Sequence, residues 1–278
     1  MTTLSFVILL WIGSLVAGLL GALTGLGGGV VIVPLLVFGF GVDIRYAMGA
    51  SLISVIATSS GASAAYVKEG YSNLRIGMFL EIATTLGALF GAYLAVRLAT
   101  NLIGVIFGAV LILSALLSFR EKPEQAHEVK PNRLAHRLNM DSDYPTPDGR
   151  KSYHVRNVPA GFGVMLGAGA LSGLLGIGSG AFKVLAMDQV MKIPFKVSTT
   201  TSNFMIGVTA AASAGIYLRK GFIDPVLAMP VVLGVLIGSL IGTRVLVRAK
   251  SHWLRIVFSL VIVALGIEMI YGALTGRL

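Results

Sequence analysis

The chain contains no cysteine in its 278 residues. That excludes a disulfide framework and any thiolate metal site, and leaves the redox compartment undetermined. Charge is scarce as well. Only 12% of the residues are Asp, Glu, Lys or Arg, where a soluble domain of this size carries about a quarter. There is too little polar surface here to clothe a water-exposed globule. The four histidines include His127, His136 and His154, scattered in one polar stretch without the i,i+4 spacing of a metal-binding helix. No Ser/His/Asp set, phosphate loop or metal-ligand array occurs. An enzyme activity therefore has no residues to carry it, and no motif asks for a cofactor.

What is present is apolar sequence: 55% of the residues are hydrophobic and the mean hydropathy is +0.86. Apolar blocks long enough to cross a bilayer, about 20 residues as helix, recur along the chain. They fall near 4–23, 47–66, 76–96, 102–118, 159–175, 198–218, 225–247 and 254–274, with shorter blocks at 30–40 and 181–191. The N-terminal block follows no positively charged segment and ends in no convincing cleavage site, so it reads as a retained span. The expected fold is an all-α polytopic membrane protein with about eight to ten membrane segments.

The net charge of +10 is distributed in a telling way. Eight of the 22 Lys and Arg, and six of the 12 acids, lie in residues 120–157. Much of the remaining positive excess borders apolar blocks, as orientation signals do. No basic helix or basic-aromatic stripe stands outside those flanks, so nucleic acid is not an expected partner. Within the polar segment, Tyr144 to Tyr153 carries the Asp148-Gly149 turn signal of a small hairpin.

The pattern repeats in residues as well as in hydropathy. Gly25, Gly27 and Gly29 match Gly176, Gly178 and Gly180 at an offset of 151. Without a gap the same offset pairs Ser51 with Ser202, Thr58 with Thr209, Tyr66 with Tyr217, Gly87 with Gly238 and Arg97 with Arg248. The chain therefore divides into a first repeat (1–119), a polar linker (120–157) and a second repeat (158–278). Counting the short blocks as crossings gives five per half, an odd number, which inverts the second repeat. With 120–157 cytoplasmic, that arrangement places Lys68, Arg75, Lys192, Lys196 and the cluster from Arg244 to Arg255 inside. Four crossings per half would reverse the majority, so the positive-inside rule favours inversion.

Each half contains a glycine-rich break between a long apolar block and a short one. Eleven or twelve helical residues span only about half the hydrocarbon thickness. Non-helical backbone at that depth must be buried in protein or line a polar cavity. Matched breaks in two repeats point to a transporter's substrate site, and free N–H groups at a half-helix start suit an anion. The first candidate set is Thr24, Gly25, Gly27, Gly28 and Gly29, with Gly176, Gly178, Ser179 and Gly180 in the second copy. The alternative is that these glycines only permit close helix packing.

The next helix of each half opens with small and hydroxylated residues. Gly49 and Ser51 lie in the first copy; Ser198, Thr200, Thr201 and Asn203 lie in the second. They either cap the helix or donate to an anion. Lys183, three residues after Gly180, either neutralises a bound anion or snorkels to an interface. Glu81, Asp188 and Glu268 lie in or beside apolar segments. Each could carry a coupling proton or pair with an arginine.

The runs from Thr24 to Pro34 (TGLGGGVVIVP) and from Ser172 to Gly180 (SGLLGIGSG), each followed by a basic-then-Ser/Thr helix start, resemble the TauE/SafE family of membrane permeases. The resemblance covers essentially the whole chain and includes the duplication. It implies secondary transport of a small sulfur-containing anion, such as sulfite, thiosulfate or an organosulfonate, often as export across the bacterial inner membrane. Alternatives are a different anion such as a carboxylate, or a non-transporting scaffold that uses 120–157 as its docking site. Direction, coupling ion and oligomeric state are not written in the sequence.

Overall fold

Each long apolar block of the sequence forms one helix. The computed structural model describes residues 3–24, 28–68, 70–119, 133–146, 149–248 and 251–277. In the first half these give α1 (Thr3–Thr24), α2 (Gly29–Pro34), α3 (Ile44–Lys68), α4 (Leu74–Arg97) and α5 (Thr100–Phe119). A short α6 (Arg133–Arg137) and an antiparallel hairpin, β1 (Ser142–Thr146) with β2 (Gly149–Tyr153), follow. The second half supplies α7 (Val158–Leu175), α8 (Gly180–Leu185), α9 (Phe195–Arg219), α10 (Pro225–Arg248) and α11 (Ser251–Leu274).

The offset of 151 found in the sequence recurs in the element bounds. α2, α3 and α4 begin and end at positions that match α8, α9 and α10, and α5 and α11 begin together. Each short helix also widens into a π segment, Leu35–Gly39 after α2 and Ala186–Val190 after α8. Pro34 ends α2, but its counterpart at 185 is leucine. Proline is therefore not required for the widened turn, a feature often found at functional sites.

Packing turns a soluble protein's pattern inside out. α4 buries Gly77, Leu80, Glu81, Thr84, Gly87, Ala88 and Gly91, while Met78, Ile82, Leu86, Phe90 and Tyr93 are exposed. Small and polar residues face protein and large apolar ones face outward, as expected when the solvent is lipid. Among the described residues, α4 and α7 are long and apolar enough to cross a membrane by length and composition.

The small residues set the helix contacts. α4 lies on α7, where a Cβ on Gly87 would strike the Leu166 carbonyl and one on Gly169 would strike Thr84. α1 lies on α10 in the same way, with Gly238 against the Leu15 carbonyl and Gly18 against Val235. These are the same contacts, shifted by 151. α3 packs on α9, and α5 packs on α11. The main core gathers Ile32, Leu36, Met48, Leu52 and Val55 with Leu175, Ile206 and Tyr217.

A second core lies under the hairpin. Met140, Tyr144, Tyr153 and Val155 pack with Ile76, Leu80, Met187, Met191 and Val197. Asn73 ties this segment down. Its Oδ1 caps α4 by accepting from the Ile76 N–H (3.1 Å), and its Nδ2 donates to the Met140 carbonyl (3.1 Å) and the Tyr153 hydroxyl (2.8 Å). The Asn73 backbone N–H donates to Thr201 Oγ1 on α9 (3.0 Å). Burial pushes the Tyr153 phenol up to about 12, so the amide meets an un-ionised hydroxyl at any physiological pH.

An Asn73→Ala variant loses the cap and both side-chain donor bonds. Loss of a cap alone costs about 1 kcal/mol. The expected outcome is a lower melting temperature together with faster proteolytic cutting within 120–157; wild-type protease resistance would show that Asn73 does not hold the segment.

Candidate functional site

The second glycine break is built from left-handed backbone. α7 ends at Leu175, and the Gly176 N–H closes the helix on the Ser172 carbonyl (2.9 Å). Gly176 (φ +68°), Gly178 (φ +74°) and Ser179 (φ +45°) then turn the chain into α8. A positive φ suits glycine but is uncommon for serine. Ser179 is held there by its buried hydroxyl, which donates back to the Ala168 carbonyl of α7 (2.6 Å). Among the described residues, no acceptor meets the backbone N–H groups of Gly178, Ser179, Gly180 and Ala181.

The two breaks touch. A Cβ on Gly29 would lie 3.2 Å from Ile177 Cα and 2.7 Å from Ser51 Oγ. Ser51, on α3 of the first half, donates its hydroxyl to the Gly176 carbonyl (2.7 Å), and Ser202 on α9 donates to the Gly180 carbonyl (3.3 Å). The two serines are counterparts at the offset of 151. Beside them is a cavity of ≈ 10 Å³, room for about one water-sized group, lined by Val30, Ser114, Ile177, Ser179, Gly180, Ala181 and Phe182.

The structure sorts the remaining sequence candidates. Thr24 is the last residue of α1, and Gly25 and Gly27 lie outside the described residues. Gly28 accepts from the Val31 and Ile32 N–H groups at the start of α2. Gly49 presses on the Phe222 carbonyl, while the preceding Met48 packs on Gly176 of the break. Ser198 donates to the Ile193 carbonyl and Thr200 to the carbonyls of Lys196 and Val197, while Thr201 accepts from Asn73. Most of that hydroxyl run therefore bonds to backbone. Asn203 is half-buried, with no hydrogen bond among the described residues. Asp188 is bonded by Gln189 (2.6 Å), and Glu268 is exposed on α11.

Lys183 does not reach an interface. It is 0% exposed, and its Nζ donates to Thr209 Oγ1 and to the Met205 carbonyl. Thr209 in turn donates to Glu81 Oε1 (2.7 Å), joining a cation on α8 to a carboxyl group on α4. Thr84, Thr85 and Thr209 were not among the sequence candidates. The helical spacing of Glu81, Thr84 and Thr85 was a usable signal, because residues three and four apart share a face.

The sequence profile described as sulfite exporter TauE/SafE matches residues 10–269. The chain belongs to this family. It is 29% identical over 276 residues to the probable membrane transporter protein YunE of Bacillus subtilis (strain 168), covering 96% of this chain and 98% of that one. It is 26% identical over 274 residues to a probable membrane transporter protein of Xylella fastidiosa (strain 9a5c), covering 98% and 97% of the two chains. With the probable membrane transporter protein YdhB of Bacillus subtilis (strain 168) it shares 28% identity over 234 residues, 82% of this chain and 85% of that one. No solved structure matches. As a TauE/SafE member, the protein is a membrane protein of a transporter family.

Gly178→Ala should disrupt the break, because its φ is +74° and the new methyl would lie 2.8 Å from Ile206 Cγ2. Strain of this kind costs on the order of 1–3 kcal/mol. Gly167→Ala, with nothing within 4 Å of its Cβ, is the matched control. A lower melting temperature for Gly178→Ala alone is expected; equal melting temperatures would show that the break tolerates ordinary backbone.

Proposed function

We propose that this TauE/SafE protein is a secondary transporter of a small sulfur-containing oxyanion or sulfonate, working by alternating access in the bacterial inner membrane. The observation that carries the reading is the meeting of the two glycine breaks beside a cavity lined by Ser179, Gly180, Ala181 and Phe182. Backbone N–H groups without acceptors, at the start of a half-helix, supply a positive end without a fixed charge. A sulfur oxyanion offers several acceptor oxygens to such a cradle. The family's description as sulfite exporter supports the class of substrate.

In this reading the anion is held by the backbone of 28–29 and 177–182, with Ser51 and Ser202 fixing the carbonyls of the second break. The ≈ 10 Å³ cavity is smaller than any of these anions, so the arrangement described is a closed one. Substrate enters as one repeat rocks against the other across the α1–α10 and α4–α7 contacts.

The two repeats are inverted, with the 120–157 segment cytoplasmic and both termini outside. Arg75 bonded to Asn139, the Arg156 N–H bonded to Met191, and Lys196 bonded to Tyr71 gather basic residues at one end of the molecule. That grouping supports a cytoplasmic placement.

Two measurements test the reading. Proteoliposomes should show saturable flux of labelled sulfite or thiosulfate; flux confined to carboxylates, or no flux of any small anion, would overturn the substrate class or the transporter itself. Because the chain has no cysteine, single-cysteine variants need no background. A membrane-impermeant maleimide should label Thr275→Cys in intact cells and Lys151→Cys only after permeabilisation. Labelling of both from the same side would refute an outside C-terminus.

A further inference from the structure

A polar cluster lies buried beside the second break, and the transport cycle as described leaves it without a task. Glu81 projects from α4, Lys183 from α8 and Thr209 from α9. Lys183 is 0% exposed and Glu81 8% exposed. A hydroxyl has one proton to give. Thr209 accepts from Lys183 Nζ, and its one proton lies between Glu81 Oε1 (2.7 Å) and the Met205 carbonyl (2.8 Å), with the charged oxygen the stronger acceptor. Thr85 also donates to Oε1 (3.2 Å), whereas Oε2 is buried with no partner among the described residues.

Among the described residues, no other charge faces this pair. α7 carries no charged residue, and α9 carries Lys196 and Arg219 only near its ends. Lys196 bonds to Tyr71, Arg75 of α4 bonds to Asn139, and Arg97 stacks on Tyr93. Asp188, on the π segment after α8, is engaged by Gln189. The cluster also exists only once. At the offset of 151, Lys183 corresponds to Ile32, and Glu81, Thr84 and Thr85 correspond to Val232, Val235 and Leu236. An isolated ionisable pair inside a membrane helix bundle is costly, and such residues commonly serve proton relays.

We propose that Glu81 is the proton site of this transporter, and that its carboxylate competes with the transported anion for the Lys183 ammonium. The inference rests on the anion site proposed above. Lys183 belongs to the same turn of α8 as Gly180, Ala181 and Phe182, which line the cavity. One ammonium can neutralise Glu81 through Thr209 or an anion at the break, but not both. A proton added to the unpartnered Oε2 makes the carboxyl group neutral and frees Lys183 for the anion. Proton and anion therefore bind together, and each raises affinity for the other by the same factor.

The test uses the purified full-length protein and thiosulfate, an anion that does not itself titrate between about pH 5.5 and about 8.5. Wild-type protein should bind thiosulfate more tightly as pH falls, by up to about tenfold per pH unit. In weakly buffered solution, binding should take up close to one proton. Glu81→Gln, which imitates the protonated carboxyl, should bind at every pH with the wild type's low-pH affinity and take up none. Flat wild-type affinity without proton uptake, or undiminished uptake by Glu81→Gln, overturns the proton site and leaves the anion site standing. If Glu81→Gln does not fold, Glu81→Asp keeps a titrating group one methylene further from Thr209. A shifted pH midpoint for that variant supports the assignment, and an unchanged one overturns it. Failure to bind thiosulfate, sulfite or an alkanesulfonate at any pH overturns the proposed function and this inference with it.

Discussion

The Ser51 hydroxyl on the Gly176 carbonyl is the contact on which the centre of the molecule depends. Backbone that leaves the helix inside a membrane protein must find its partners within the protein, since lipid offers none. The second break answers this with hydroxyls: Ser51 of α3 and Ser202 of α9 donate to its Gly176 and Gly180 carbonyls, and its own Ser179 reaches back to α7. The contact from α3 comes from the other half of the chain. Neither half could hold the break in this way alone.

Close approach of α3, α9 and the breaks requires that the outer helices also pack tightly. The glycines of α4, α7, α10 and α1 allow this by letting one helix rest on the carbonyls of the next. Such contacts hold helices together by packing where no hydrophobic force acts between them. The same α1–α10 and α4–α7 contacts join one repeat to the other. Stability and the proposed motion draw on the same surfaces.

Much of this was legible in the sequence, and the limits are physical. The long apolar blocks predict the long helices because only a helix satisfies its own backbone in lipid. Gly25, Gly27 and Gly29 against Gly176, Gly178 and Gly180 marked the breaks, since only an equivalent structure preserves a gapless offset. The serines at 51 and 202 were visible as counterparts, but not their acceptors, because a donor and a carbonyl that are 125 residues apart for Ser51 and 22 apart for Ser202 meet only in the fold. The hydroxyl run from Ser198 to Thr201 read as a candidate anion contact. In the structure it bonds largely to carbonyls one turn back, a local choice that residue type alone does not reveal. Lys183 read equally well as an anion partner or a snorkelling side chain. Which way its stem points depended on Thr209, whose position opposite Glu81 no spacing along the chain could give. Asn73, between α3 and α4, carried no pattern at all; its importance comes from four hydrogen bonds to three different segments.

The most direct measurement of the central claim is a high-resolution density map of the protein with thiosulfate bound. The account predicts ligand density between Gly28–Gly29 and Ile177–Phe182, contacted by backbone N–H groups. Density confined to the hairpin face around Arg150 and Lys151, with the breaks unchanged, would contradict it.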